Sequence, residues 1–256
     1  MTHADMILET KGLTRQFNGF TAVKGIDLRV RRGTIHALIG PNGAGKTTCF
    51  NLLTKFLTPT SGQIFFDGRE ITRAAPAAIA RKGVIRSFQI SAVFPHLTPV
   101  ENVTIALQRP LGVSFCFWKS SAMLTRLRER ALDLLGEVGL AAYADVKTVE
   151  LSYGHKRALE IATTLAMDPV LMLLDEPTQG MGHEDVDRVT ALIKKVSSGR
   201  TILMVEHNMK MVSSIADTIT VLQRGEILAE GDYASVSANP QVKEAYMGTE
   251  NESLAH

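Results

Sequence analysis

The sequence predicts an α/β fold with a mostly parallel sheet, an N-terminal antiparallel β-subdomain and an inserted helical subdomain. Three observations predict it. The runs TIHALIG (34–40), VLMLLDE (170–176) and TILMVEH (201–207) are almost wholly apolar, as strands covered on both faces are, with function at their C-terminal ends. Segments with apolar residues at helical spacing alternate with these runs. Near each end of the chain lies a turn signal between strand-like segments, which is antiparallel hairpin chemistry.

Residues 6–39 read as short strands broken by Gly12, Gly19, Gly25 and Gly33. GQIFFDGREI (62–71) reads as a hairpin turning at Asp67-Gly68, and TITVLQRGEILAEG (218–231) as another turning at Arg224-Gly225. Helical faces are marked by Leu124, Leu127, Ala131, Leu134, Leu135 and Val138, by Ala158, Ile161, Ala162 and Leu165, and by Val186, Val189, Ile193 and Val196. Residues 73–166 are therefore expected to form a mostly helical subdomain, set between 1–72 and 167–256, which form the α/β core with the antiparallel subdomain. The whole of 1–256 is expected to work as a single domain.

Composition excludes several classes. With 28 basic against 26 acidic residues the net charge is +2, too balanced to create the field that nucleic acid binding needs. Cys49 and Cys116 are too few for a disulfide framework and fit a reducing compartment. MTHADMILETK carries Asp5 and Glu9 and does not read as a secretory signal. No run approaches the roughly 18 apolar residues needed to span a bilayer; LGVSFCFW (111–118) is far too short.

GPNGAGKT (40–47) matches G-x-x-x-x-G-K-[ST] between a predicted strand and a predicted helix. In that pattern the glycines let successive backbone N–H groups turn toward phosphate oxygens, and the helix start adds partial positive charge. Lys46 supplies a point charge for the β- and γ-phosphates and Thr47 a hydroxyl for Mg²⁺. This makes the α/β core a P-loop NTPase core. VLMLLDE then supplies Asp175 at a strand end, where it can hold Mg²⁺ through water. Glu176 beside it can activate an attacking water as general base.

The remaining motifs carry a resemblance. GPNGAGKTT resembles the Walker A motif and LMLLDEP the Walker B motif. LSYGHKR (151–157) sits before a helix and ahead of Walker B, where the signature LSGGQ is expected. SFQ (87–89) resembles the Q-loop, TQGMG (178–182) the D-loop and VEHNM (205–209) the switch-histidine segment. In this order, over nearly the whole chain, they resemble the nucleotide-binding subunits of ATP-binding cassette (ABC) transporters.

That resemblance implies that Asn42, Gly43, Ala44, Gly45, Lys46, Thr47 and Thr48 hold the phosphates and magnesium of Mg-ATP. It implies that Gln89 senses metal and γ-phosphate, that Asp175 organises Mg²⁺, that Glu176 polarises water and that His207 contacts the γ-phosphate. Phe17 is placed like the aromatic that stacks on adenine, with Val23 beside it. In such proteins two subunits pack head to tail, so Ser152 and Gly154 would reach the γ-phosphate held by the other chain. Taken alone, Gln89 reads as a loop residue and His207 as structural, as do His36, His96 and His183. Phe17 alone reads as core, and the basic turn His155, Lys156, Arg157 as a solvated face.

One cassette without a transmembrane part disfavours the fused exporters and the tandem translation-factor type. GEILAEGDYASVSANPQVKEAYMG (225–248) and LSYGHKRALEIATTLAMDP (151–169) are similar to importer subunits for hydrophobic or branched-chain amino acids. An ATPase that powers such an importer is the leading expectation. Urea or amide importers, a lipopolysaccharide-type exporter and a soluble ATP-dependent clamp or regulatory protein are the alternatives. The implied partners are a second nucleotide-binding subunit, transmembrane permease subunits and, indirectly, a periplasmic solute-binding protein. The implied place is the cytoplasmic face of the inner membrane. Tyr153 stands for the first signature glycine and His155 for its glutamine, while Gln179 and Gly182 depart from the usual D-loop. These departures are compatible with a related heterodimer as well as a homodimer.

Overall fold

The computed structural model describes residues 5–87, 93–110 and 121–253. In chain order these form β1 (Met6–Phe17), β2 (Phe20–Ile26), β3 (Arg29–Arg31), β4 (Ile35–Ile39), α1 (Lys46–Leu53), β5 (Ser61–Phe66), β6 (Arg69–Glu70), α2 (Pro76–Arg81) and β7 (Val84–Ser87). There follow α3 (Pro99–Gln108), α4 (Ser121–Glu137), α5 (Tyr153–Leu165), β8 (Leu171–Asp175) and α6 (His183–Val196). The chain closes with β9 (Thr201–Val205), α7 (Met209–Ile215), β10 (Thr218–Gln223), β11 (Glu226–Gly231), α8 (Tyr233–Ala238) and α9 (Pro240–Ser253). Gln89 and the segment 111–118 lie outside the described residues. The elements gather into two compact units, residues 1–82 with 199–256, and residues 83–198.

In the first unit β1 pairs antiparallel with β2, β3 and β5, and β5 with β6. Gly12 was expected to break β1, but the strand runs through it for 12 residues. The glycine, at φ 58°, is taken up by an irregularity in the pairing with β5 between Lys11 and Thr14, the usual way a sheet absorbs an extra residue. The turn Asp67-Gly68 has φ of 50° and 70°, as a two-residue primed turn requires.

The same unit holds β4 between β9 and β10, all parallel, with β11 antiparallel on β10. Every residue of β4 and β9 is buried, which is why their sequences show no polar alternation. His36 is the polar exception in β4. Its Nε2 lies 2.8 Å from Thr220 Oγ1, whose hydroxyl donates to Glu230 at 2.7 Å. Burial pushes the imidazole down to about 4, so it is neutral and structural, as the sequence suggested.

In the second unit β7 and β8 pair in parallel, with Arg86 opposite Leu173. No apolar run announces β7: it has four residues, and Arg86 interrupts them. α3 opens on a capping box, in which the Thr98 side chain accepts from the Glu101 N–H and the Glu101 carboxylate from the Thr98 N–H. The periodic residues of α5 and α6 are all buried. On α4, Leu127, Ala131, Leu134 and Leu135 are buried while Leu124 is exposed, so that stripe packs from its second turn onward.

Candidate active site

The phosphate loop joins β4 to α1 in the first unit, and its glycines are demanded by sterics. A Cβ on Gly40 would lie 2.2 Å from the Leu222 carbonyl oxygen, and one on Gly45 would lie 2.5 Å from that of Ala22. Gly45 also takes φ 100° as it enters α1, a conformation that costs an L side chain dearly. No side chain caps α1 and no acidic residue occupies its first turn, so its leading N–H groups suit an anion. The Lys46 ammonium is buried and donates to the Gly40 and Pro41 carbonyls at 2.7 and 2.9 Å. Asn42, Gly43 and Thr47 are exposed, Thr48 is half-buried and Ala44 is buried. The Gly225 N–H bonds the Ala44 carbonyl at 3.0 Å, so the β10–β11 turn braces the loop from outside.

Phe17 ends β1 with 38% of its surface exposed, and the Arg15 guanidinium lies 4.6 Å from its ring centre. Val23, opposite Arg15 on β2, has no exposed surface. His207 follows β9 with an exposed side chain. The turn that carries it is fixed by Glu206, which is fully buried and accepts from the His207 and Asn208 N–H groups at 2.8 and 2.9 Å. Sequence reasoning passed over Glu206. An acidic residue directly at the end of an apolar strand was the signal for it.

In the second unit Asp175 ends β8 fully buried. One of its oxygens pairs with the Arg86 guanidinium, and the other, Oδ1, is buried without a hydrogen-bond partner. Glu176 follows at φ 46° and is half-buried; a non-glycine residue in that region is uncommon and is held there by its surroundings. Arg157 supplies them. Its Nε donates to the Pro177 carbonyl at 3.0 Å, and its Nη2 to the Asp175 and Glu176 carbonyls at 3.2 and 3.1 Å. Its Nη1 pairs with Glu160 at 2.5 Å.

The reading of His155, Lys156 and Arg157 as a solvated face therefore fails at Arg157, which is buried. A run of charges ignores helix phase. Arg157 shares a face with Glu160, Ile161 and Thr164, at i, i+3, i+4 and i+7, and all four are buried. Lys156 stays near the surface, bonding the Val149 carbonyl, and the His155 ring packs 4.3 Å from that of Tyr143.

Ser152 caps α5, its hydroxyl accepting from the His155 N–H at 3.3 Å, and remains exposed. Gly154 packs close to α6: a Cβ there would lie 2.8 Å from Asp185 Oδ1, so a larger residue would push that carboxylate aside. The Tyr153 hydroxyl donates to the Gln179 carbonyl at 3.1 Å. The second unit thus brings the strand end, the loop after it and the start of α5 into one hydrogen-bonded group. Gln89 lies outside the described residues.

The family model for the ABC transporter matches residues 23–179, more than half of the chain. The chain belongs to the ABC transporter family. A second family model, the branched-chain amino acid ATP-binding cassette transporter, matches residues 226–252 of this ABC ATPase. The chain is 43% identical to the high-affinity branched-chain amino acid transport ATP-binding protein BraF of Pseudomonas aeruginosa, over 94% of its own length and 98% of the relative's. It is 37% identical to the corresponding LivG protein of Salmonella typhimurium, over 94% and 98%. Among solved structures, the ADP conformation of an ATP-binding cassette of an ABC transporter superposes with a TM-score of 0.83 at 29% identity, over 95% of this chain and 99% of that one. A dimeric cassette bound to ADP and Pi superposes with a TM-score of 0.72 at 26% identity, over 88% and 98%.

The region matched by the second model reaches the phosphate loop of the cassette. A cavity of about 460 Å³ has Pro41, Asn42 and Gly43 on one wall and Gln241, Glu244 and Ala245 of α9 on another. Tyr246, next along α9, meets the Gly40 backbone, and burial pushes its phenol up to about 12. No described helix is long and apolar enough to cross a membrane.

Proposed function

We propose that this cassette hydrolyses ATP to power a membrane importer for branched-chain or other hydrophobic amino acids, working as one domain across residues 1–256. The observation that carries the reading is 43% identity to BraF across almost the full length of both chains. In this reading Asn42, Gly43, Ala44, Gly45, Thr47 and Thr48 cradle the phosphates, and Lys46 exchanges its two loop carbonyls for phosphate oxygens. Phe17 offers its exposed face to adenine, with Val23 contributing through the core. Glu176 accepts the proton of the attacking water, its backbone held by Arg157, and His207, on the turn fixed by Glu206, contacts the γ-phosphate.

Magnesium, when bound, neutralises charge on the β- and γ-phosphates. Thr47, Asp175 and Gln89 would hold it, directly or through water. The buried, unpartnered Oδ1 of Asp175 supports that fit, since buried carboxylate oxygens are otherwise hydrogen-bonded.

Ser152 and Gly154 act in trans on nucleotide held by a second cassette, a copy or a related chain. The pair docks on permease subunits at the cytoplasmic face of the membrane, and a periplasmic binding protein delivers the solute. The test is ATP turnover by the cassette co-reconstituted with its permease and binding protein. Stimulation by a branched-chain amino acid and loss of turnover in Glu176→Gln are expected. Stimulation by urea or amides, or turnover indifferent to any permease, would sink the solute assignment or the importer reading respectively.

A further inference from the structure

We infer that Arg86 is a positioning residue for the magnesium site: its guanidinium holds one oxygen of Asp175 and so reserves the other for the hydrated metal ion. The inference rests on the reading of Asp175 as the metal-organising carboxylate. Arg86 reaches Asp175 because β7 and β8 are parallel neighbours with Arg86 opposite Leu173. Side chains alternate along a strand, so Leu173 and Asp175 share the face on which Arg86 projects. The pair is almost dry, with side-chain exposures of 11% for Arg86 and 1% for Asp175.

A buried carboxylate with one ion-paired oxygen and one unpartnered oxygen is an unbalanced arrangement. Protein interiors rarely keep it unless a further ligand completes it. The guanidinium makes the asymmetry directional. Its Nη2 holds Oδ2 and leaves Oδ1 bare, a one-sided contact that a lysine at the same place, a point charge on a flexible stem, would not keep in one geometry. Groups that orient a metal-binding carboxylate act on metal affinity rather than on contact with the nucleotide. Arg86 also stands three residues before Gln89 in the sequence, so one short segment carries both the orienting group and a residue assigned to the metal.

The experiment uses the full chain with a fluorescent ATP analogue, titrated in EDTA and again across a range of Mg²⁺, and repeats the metal titration with Mn²⁺ read by EPR. Arg86→Lys keeps the buried charge and loses the rigid planar guanidinium; Arg86→Gln keeps a planar donor and loses the charge; Asp175→Asn is the reference. In Arg86→Lys and Arg86→Gln, apparent metal affinity should fall about tenfold or more, with metal-free nucleotide affinity unchanged. Wild-type metal dependence in either folded Arg86 variant, while Asp175→Asn loses it, overturns the inference and leaves the magnesium reading standing. Wild-type metal dependence in Asp175→Asn overturns both.

Discussion

The Tyr153 hydroxyl donates to the Gln179 carbonyl at 3.1 Å, tying the first turn of α5 to the loop that follows β8. This explains the unusual third residue of LSYGHKR, because a glycine there could not reach Gln179. The tie is half in water, with Tyr153 55% exposed, so it adds little to stability. In the proposed pair of cassettes, its value would be in holding together two segments next to Ser152 and Gly154. Tyr153→Phe in a Glu176→Gln background should leave the melting curve almost unchanged and weaken the ATP-dependent dimer by about 3- to 10-fold, the worth of one hydrogen bond. Light scattering against protein concentration measures it. An unchanged dimer constant would make the tie ornamental.

Arg157 is the residue on which the strand end leans. Arg157→Met leaves Glu160 buried without its partner and takes a donor from three carbonyls, of which that of Glu176 keeps the Gln179 N–H. Loss of about 3–5 kcal/mol is expected on breaking a buried pair from one side. Urea unfolding gives the number. Arg157→Met with Glu160→Met should recover part of the stability, because no lone buried charge remains. The double variant should still lose turnover, since the Glu176 backbone is no longer held.

Acid sensitivity should trace to His36. Its folded value, about 4, lies below the ordinary 6.5, so between those values the unfolded chain binds the extra proton. The stabilising contribution is complete above pH 6.5 and is lost as pH falls toward 4. Its size is about 3 kcal/mol at most across that window. His36→Gln should flatten the change in urea midpoint between pH 7 and 4.5. An unaltered slope would place the acid sensitivity elsewhere.

Gly45 should tolerate nothing larger. Gly45→Ala places a methyl 2.5 Å from the Ala22 carbonyl oxygen at a φ of 100°. The expected outcome is loss of ATP binding by at least about tenfold, with destabilisation of about 1–3 kcal/mol from backbone strain. Gly43→Ala, at φ 76° with open space around it, should be milder. Equal effects of the two would show that packing against Ala22 is unimportant.

What the sequence revealed follows the range of the interactions involved. The hairpins at Asp67-Gly68 and Arg224-Gly225 were legible because turn chemistry is local. The apolar runs of β4, β8 and β9 were legible because burial on both faces leaves no polar alternation. β7 was hidden because its four residues count as a strand only beside β8. Arg157 and Arg86 were missed for a related reason: each is a charged residue made structural by partners distant in sequence or by helix phase, and composition reports neither. Glu206 differs, since it bonds the next two N–H groups, and its place at the end of an apolar run was the readable sign. Ser152 and Gly154 were legible as motif letters, but the closeness of Gly154 to Asp185 appears only in three dimensions.

The C-terminal helix carries a different lesson. Its Tyr246 meets the backbone of Gly40, and its neighbours share a cavity wall with Asn42 and Gly43. The stretch that marks this chain as one branch of its family thus leans on the loop that the family holds in common. Drift in the tail is therefore not free. A substitution in α9 should be felt at Gly40, where even a Cβ would meet the Leu222 carbonyl oxygen at 2.2 Å, and tails exchanged between branches should need matching changes in the β10–β11 turn before the graft tolerates nucleotide.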